Sequence, residues 1–486
     1  MWMIRPCPIE GDAVRERPQE DGGPCLAQVT ATQSQQARSR ERVVPSPLNT
    51  RRVLRRRACP PRRCGSVVLL YGSARGAKGD ITVRFRCVAS LFVVGLMLAA
   101  APVARGDTPR TARVQAALEA WLADRASAEK VTGIAAYISF GDPGPAIEAF
   151  AGKVGSGSRD PLVRQDTLFQ MGSTSKSFTV ALILKLEAAG RLSIDDKLGK
   201  WLPQYPVWKD VSIRRLLNMT SGIPNYSETE AMSRIWVEHG TRVLTAEDLV
   251  KFAYPAGTGD LPVSSGYHYS NTNYILAGMI AAKVGGRSYR DLVHQMVIEA
   301  VGLDSTFYES GAYPAAVVAR LAHGYFDNPA CADYQPNCAR SWNLPLMGRD
   351  VRGMNTSWAQ AAGGAIADAR DVDRWMRAVF AGRVVPPKQQ AEWMALVSTK
   401  TGEPIADVSA DDPRGFSLGL AKGILGPVGA QWFYQGETLG YRTLYVWFQK
   451  ENIMITLQTN SQPAADADKL HDVLGTIYQI VRDGAK

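Results

Sequence analysis

A chain of 486 residues with a formal charge of +10 invites a nucleic-acid or membrane reading, but the charge is confined to one end. Residues 1–106 carry 18 Lys+Arg against 7 Asp+Glu, a balance of +11, whereas the other 380 carry 38 against 39, a balance of −1. The basic excess therefore says nothing about what the body acts on, and no nucleic-acid partner is expected.

Residues 1–82 are rich in Arg, Pro and Gln without a sustained period. They read as a disordered leader, or as an upstream mistranslation with synthesis beginning near Val83. Arg84 and Arg86 then precede an apolar run of about 14 residues, Val88 to Ala101, and small residues up to Gly106, the pattern of a signal peptide over 83–106. The run is shorter than the roughly 20 residues of a membrane helix, an uncleaved anchor being the alternative. The expected location is periplasmic or extracellular, with no stable membrane insertion after cleavage. Cys7, Cys25, Cys59, Cys64 and Cys87 lie upstream, and only Cys331 and Cys338 fall in the body. In an oxidising compartment this pair would close a small disulfide loop, free thiols being the alternative.

The body, 107–486, exceeds the roughly 250–300 residues that one core usually accommodates, so two lobes are expected. Val114, Leu118, Trp121 and Leu122 share one face of an opening helix. Ile134–Phe140 and Ala146–Ala151 are β-prone runs around Gly141-Asp-Pro-Gly144, a hairpin signal. A helix-rich middle follows, with a helical lobe over about 190–360. Strand-like runs return at Phe416–Leu420, Gln431–Gln435, Tyr441–Gln449 and Ile453–Thr459. A last amphipathic helix, about 464–483, carries Leu470, Val473, Leu474, Ile477, Tyr478 and Ile480. Strands at both ends with helices between imply one sheet assembled from the two termini, a helical lobe inserted into it, and a site where the lobes meet.

The central signal is Met171-Gly-Ser-Thr-Ser-Lys-Ser177, followed by an apolar helix over 178–186. Ser173 and Lys176, three apart at its start, share a face. A hydroxyl is a poor nucleophile until a nearby base takes its proton. A lysine in the first turn faces the positive end of the helix dipole, and burial adds desolvation, so both effects favour a neutral amine able to do that. The same dipole helps an oxyanion formed at Ser173. A Ser N-cap followed by a solvated lysine is the bland alternative.

In the second signal, Ser264-Ser-Gly-Tyr-His-Tyr-Ser-Asn-Thr-Asn-Tyr274, Tyr269 and Asn271 point the same way if the segment is extended. A nearby ammonium would lower the Tyr269 phenol and let it act as base. Asn271 offers donor and acceptor to a substrate amide. A turn rich in polar side chains is the alternative. In the third, Tyr434-Gln-Gly-Glu-Thr-Leu-Gly-Tyr441, Gly436 permits close backbone approach. The amides of Glu437 and Ser173 would then supply two oxyanion donors.

S-x-x-K, Tyr-Ser-Asn and a strand triad ending in Gly, in this order, resemble the penicillin-recognising serine hydrolases. These comprise class C β-lactamases, D-alanyl-D-alanine carboxypeptidases, D-aminopeptidases and related esterases. The likeness extends over 110–485 and includes Gly190-Arg-Leu-Ser-Ile-Asp-Asp196, Arg214-Arg-Leu-Leu-Asn-Met-Thr-Ser-Gly-Ile-Pro224, Ser357-Trp-Ala-Gln360 and Ala362-Gly-Gly-Ala-Ile366. It implies an α+β, β-lactamase/transpeptidase-like fold: an antiparallel sheet from both termini, flanking helices and an inserted helical lobe. It also implies that Ser173 is acylated, that Lys176 and Tyr269 relay its proton, that Asn271, Tyr434, Gly436 and Glu437 line the substrate and oxyanion subsites, and that no cofactor or metal is needed. The substrate would be a small peptide, a β-lactam or an ester.

One departure stands out. The family's third triad begins with Lys or His, whereas Tyr434 stands here, followed by Gln435. That removes a cation for a substrate carboxylate and puts β-lactams and other carboxylated substrates in doubt. Lys422 and Arg442 are candidates to compensate, but both read as surface groups. The Glu437 carboxyl reads as solvated, with positioning of a deacylating water as the alternative. His239, His268, His294, His323 and His471 show no metal-ligand spacing. The functions left open are a carboxypeptidase or β-lactamase, an esterase or D-amino acid amidase, and a catalytically weak cell-wall-binding module.

Overall fold

The structure, a computed structural model, describes residues 108–254, 266–328 and 344–482. The expected leader 1–82 and expected signal segment 83–106, Cys331 and Cys338, and Ser264 and Ser265 of the second motif lie outside these residues.

Alternation of apolar side chains on both faces makes one large sheet that needs cover on each side. Gly133–Phe140 pairs antiparallel with Ala146–Gly152 on one flank and with Ile453–Thr459 on the other, Ile134 opposite Thr459 and Phe140 opposite Ile453. The order continues through Tyr441–Phe448, Ala430–Thr438, Ala421–Ile424, Arg414–Phe416, Leu396–Ser398 and Pro404–Ile405, nine antiparallel strands in all. Strands from the two ends of the body thus pair side by side in one sheet, as the strand pattern implied.

Ile134, Ala136, Ile138, Leu444, Val446, Ile455 and Leu457 face the terminal helices, Thr108–Arg125 and Leu470–Arg482. These helices are joined where Trp121 Nε1 donates to the Lys469 carbonyl at 3.0 Å. The other face, with Ala135, Trp432, Tyr434, Tyr445 and Met454, shares a core with the helical region. Helix Lys176–Ala188 runs through that core, buried at ten of its thirteen positions, so an apolar surface all round is what its environment requires. Each large side chain it buries, such as Phe178, Leu182 or Ile183, contributes roughly 1.5–3 kcal/mol. Helix Asn271–Gly285 packs alongside it.

Two expected elements differ. The Phe416–Leu420 strand ends at Phe416, and Ser417–Leu420 turns back, the Ser417 amide donating to the Leu420 carbonyl at 2.8 Å. Gly419 turns there with φ +72°, where an added Cβ would lie 2.9 Å from Tyr274 Oη and 3.1 Å from Val180 Cγ2. The last helix begins at Leu470 rather than 464, because Ser461–Pro463 pairs in parallel with Tyr325–Asp327 and the Asp468 carboxylate accepts from the Leu470 amide at 3.0 Å.

Candidate active site

Ser173 sits in a single 3₁₀ turn, Gly172–Ser175, that leads directly into helix Lys176–Ala188. The Lys176 side chain is fully buried. Its Nζ lies 2.9 Å from Ser173 Oγ, 2.7 Å from Asn271 Oδ1 and 2.6 Å from the Ala362 carbonyl. Tyr269 Oη lies 2.7 Å from Ser173 Oγ, and Tyr434 Oη donates to Tyr269 Oη at 3.2 Å.

The second motif reaches this point because Ser270 is extended, φ −144° and ψ 119°, and Asn271 opens a helix. Tyr269 and Asn271 therefore aim the same way. The motif is tied down by Ser270 Oγ and Thr272 Oγ1 donating to the Pro224 carbonyl at 3.1 and 2.6 Å, and by the Asn271 amide donating to Asn225 Oδ1 at 3.0 Å. Asn271 Nδ2 donates to Ser227 Oγ at 2.9 Å, which fixes Oδ1 toward the lysine.

Strand Ala430–Thr438 brings the third motif. Period-2 alternation turns Tyr434 and Gly436 to the Ser173 side and Gln435 and Glu437 to the other. A Cβ at Gly436 would meet the Met171 carbonyl at 2.1 Å and the Ser173 amide nitrogen at 2.9 Å; one at Gly172, φ +53°, would meet the Glu437 nitrogen at 2.5 Å. The two backbones touch only because both residues lack a side chain.

Burial pushes the Lys176 amine well below its ordinary value. Among the described residues no carboxylate bonds to it. The Tyr269 phenol is pushed up to about 12, chiefly by burial; hydrogen bonds with Ser173 and Tyr434 oppose this, and Glu437 and Glu228 add to it. This reverses the expectation of a lowered phenol: the lysine is too deeply buried to favour the ammonium that would have lowered it. A neutral amine has two N–H groups and one lone pair. The Asn271 amide oxygen and the Ala362 carbonyl only accept, so they take both N–H groups and the lone pair faces the Ser173 hydroxyl. The arrangement therefore presents a base to a hydroxyl, with a protonated phenol beside both.

Glu437 and Arg442 sit differently from what their sequence context suggests, and Lys422 is engaged elsewhere. The Glu437 carboxylate accepts from Gln435 at 2.8 Å and Gln462 at 3.2 Å, on the sheet face away from Ser173, and is pushed up by burial and by the Asp468 charge. It is partly buried and hydrogen-bonded to both glutamines, and it is not placed at the hydroxyl. Lys422 is bound to Asp407 at 2.7 Å and lies over Trp432, its side chain only 12% exposed. Arg442, wholly buried, donates to Glu129 at 2.7 Å and also pairs with Asp468. Lys422 thus sits in an ion pair at the surface, Arg442 is not a surface group, and neither bonds to the Ser173 cluster.

Of the histidines, His323 pairs with Asp350 at 2.5 Å and His294 Nε2 meets the Tyr308 carbonyl at 3.0 Å; none bonds to the cluster. Among the described residues no group of His, Cys, Asp or Glu is disposed to hold a metal, and no helix is long and apolar enough to cross a membrane. A cavity of about 330 Å³, lined by Gly278, Tyr289 and Gln360 among others, contains none of the cluster residues. Sequence reasoning missed Ser227, Asn225 and the Ala362 carbonyl as orienting partners. Asn225 follows directly on the Arg214–Pro224 stretch, but a backbone carbonyl leaves no mark in sequence.

The Beta-lactamase family model matches residues 124–477. Penicillin-binding protein 4* of Bacillus subtilis (strain 168) is 32% identical over 164 residues, 34% of this chain and 35% of its own length. Putative penicillin-binding protein PbpX of the same strain is 28% identical over 153 residues, 31% and 36%. The chain thus spans about a third of the length of these curated relatives. Among solved structures, a D-stereospecific amidohydrolase from Streptomyces sp. superposes with TM-score 0.59 at 27% identity, covering 75% of this chain and 97% of that one. D-amino acid amidase from Ochrobactrum anthropi SV3, complexed with D-phenylalanine, gives 0.63 at 21%, covering 78% and 100%, a likeness of fold.

Proposed function

The chain belongs to the Beta-lactamase family, and from that premise we propose that it is a serine hydrolase passing an acyl group through Ser173. The observation that carries the reading is the contact set of buried Lys176 with the partly buried Ser173 and Tyr269. Ser173 Oγ bonds to the substrate carbonyl carbon while its proton passes to Lys176 Nζ. The electron pair displaced onto the carbonyl oxygen is held by the amides of Ser173 and Glu437, whose close approach Gly172 and Gly436 permit. Collapse breaks the bond to the leaving nitrogen or oxygen, which takes the proton from Lys176 by way of the Tyr269 hydroxyl. Water then adds to the acyl-enzyme, giving one proton to Lys176, and that proton returns to Ser173 as the carboxylic acid leaves. A positioned base of this kind contributes roughly 10²–10⁴-fold.

The substrate class is a small peptide, β-lactam or ester. A D-alanyl-D-alanine carboxypeptidase or β-lactamase is supported by the penicillin-binding relatives, and an amidase or esterase by the 27%-identical D-stereospecific amidohydrolase. The segment 83–106 supports export to the periplasm or beyond, where Cys331 and Cys338 would pair. Incubation with a fluorophosphonate and, separately, a fluorescent penicillin tests the reading. An adduct at Ser173, abolished in Ser173→Ala, is expected with at least one probe. Absence of both adducts would instead indicate a cell-wall-binding module.

A further inference from the structure

The substrate class can be narrowed at the residue that departs from the family pattern, an inference that rests on the hydrolase reading. Tyr434 is 7% exposed, its ring set edge-on to Phe416 at 6.0 Å, and Tyr267 also packs against Phe416, at 5.6 Å. Its hydroxyl lies 3.2 Å from Tyr269 Oη. When Lys176 is neutral the directions of the chain are fixed from one end: Ser173 donates to the lysine, Tyr269 donates to Ser173, and Tyr434 donates to Tyr269. The single proton of Tyr434 is thereby committed to another side chain and is not turned toward a substrate.

The surrounding charges point the same way. Among the described residues Lys176 is the one cation hydrogen-bonded to Ser173, Tyr269, Asn271 or Tyr434, and its burial disfavours the charged form. Lys422 is held by Asp407, and Arg442 lies across the sheet with Glu129 and Asp468. The charges that Tyr269 does feel are the carboxylates of Glu437 and Glu228. A carboxylate brought beside the scissile bond would lose its hydration without a cation among these residues to replace it.

We infer that Tyr434 is a positioning and specificity-determining residue: it orients the Tyr269 hydroxyl toward Ser173 and confines the enzyme to amides and esters that carry no carboxylate next to the scissile bond. The test is a matched pair, acetyl-D-alanyl-D-alanine and the same dipeptide with its terminus amidated, hydrolysed by the full chain and by Tyr434→Phe and Tyr434→Lys. The wild type should favour the amidated peptide by at least roughly 10-fold in kcat/KM, the cost of one unpaired buried charge-bonding group. Y434F should keep that preference and its melting temperature, losing roughly 3- to 10-fold in kcat with KM little changed, since only an orienting hydrogen bond is gone. Y434K should lower KM for the free acid selectively and bring the alkaline limb of kcat into the assay range, because an ammonium depresses the Tyr269 phenol. A wild type that hydrolyses the free acid as well as the amide, or a Y434F with full kcat, overturns the inference. So does turnover of neither peptide while Ser173 still takes up a fluorophosphonate. No uptake at all sinks the hydrolase reading and this inference with it.

Discussion

Lys176 makes the sharpest demand of any single residue, because it must lose its charge to work and its surroundings push it that way. Burial lowers the amine, so the neutral form gains population as pH rises through a value below the ordinary lysine range near 10.4. The rate should therefore climb with pH along an acid limb set by Lys176. It should then stay flat to about pH 10, since Tyr269, at about 12, is still protonated there. Lys176→Arg keeps the volume and fixes the charge. Its kcat/KM should fall by roughly 10²–10⁴-fold at every pH, with the acid limb abolished. An unchanged limb in that variant would assign the titration to another group. The phenol was the part of this chemistry that sequence misread, because a sign of shift depends on burial, and burial depends on which helix lies across the loop.

At the scale of elements, the site depends on a strand and a 3₁₀ turn meeting backbone to backbone. Gly436→Ala would put a methyl group 2.1 Å from the Met171 carbonyl and 2.7 Å from the Thr174 nitrogen. Both neighbours are main chain, so the strand and the nucleophile turn must part. The expected result is a loss of roughly 10²–10³-fold in Ser173 acylation, the size seen when an oxyanion donor is displaced, with a much smaller change in melting temperature. Labelling of G436A at the wild-type rate would show that the Glu437 amide takes no part. Part of this was legible beforehand: the glycine stood directly after the strand-like run Gln431–Gln435, a strand that in fact continues to Thr438, and strands such as Ile453–Thr459 declared themselves by composition. The turn at Ser417–Leu420 was not, because its apolar residues are those of a strand and only the approach of Tyr274 and Val180 to Gly419 decides otherwise. Similarly, Ser173 and Lys176 showed their spacing, while the Ala362 carbonyl that takes one of the two N–H groups of the neutral amine had no side chain to read.

The whole molecule is held together behind that strand by charges drawn from three distant segments. Glu129 follows the first helix, Arg442 lies in the sheet and Asp468 precedes the last helix. Arg442 is wholly buried and donates to Glu129 at 2.7 Å, to the Ser461 carbonyl at 2.9 Å and to Asp468. Glu129 also accepts from Arg125 at 2.8 Å, and Asp468 from Gln435 at 2.7 Å. Burial alone would raise the Asp468 carboxyl, but the Arg442 charge and the Leu470 and Gln435 hydrogen bonds outweigh it and hold the group below the ordinary range. Its contribution is therefore present above the unfolded value near 3.9 and is lost only as pH falls below that. Arg442→Met removes the charge and leaves two carboxylates buried without it, a loss of about 3–5 kcal/mol at pH 7. In that variant burial acts on Asp468 without the opposing charge, so its folded value rises above the unfolded one, and stability is lost as pH rises instead. The deficit should accordingly be largest at pH 7 and shrink at pH 5. Urea unfolding of wild type and R442M at the two pH values measures it, and the triple variant E129Q/R442M/D468N should recover most of the loss. A deficit equal at both pH values would mean that Arg442 stabilises the sheet by packing, with no electrostatic tie between the chain ends and the strand that carries Tyr434 and Gly436.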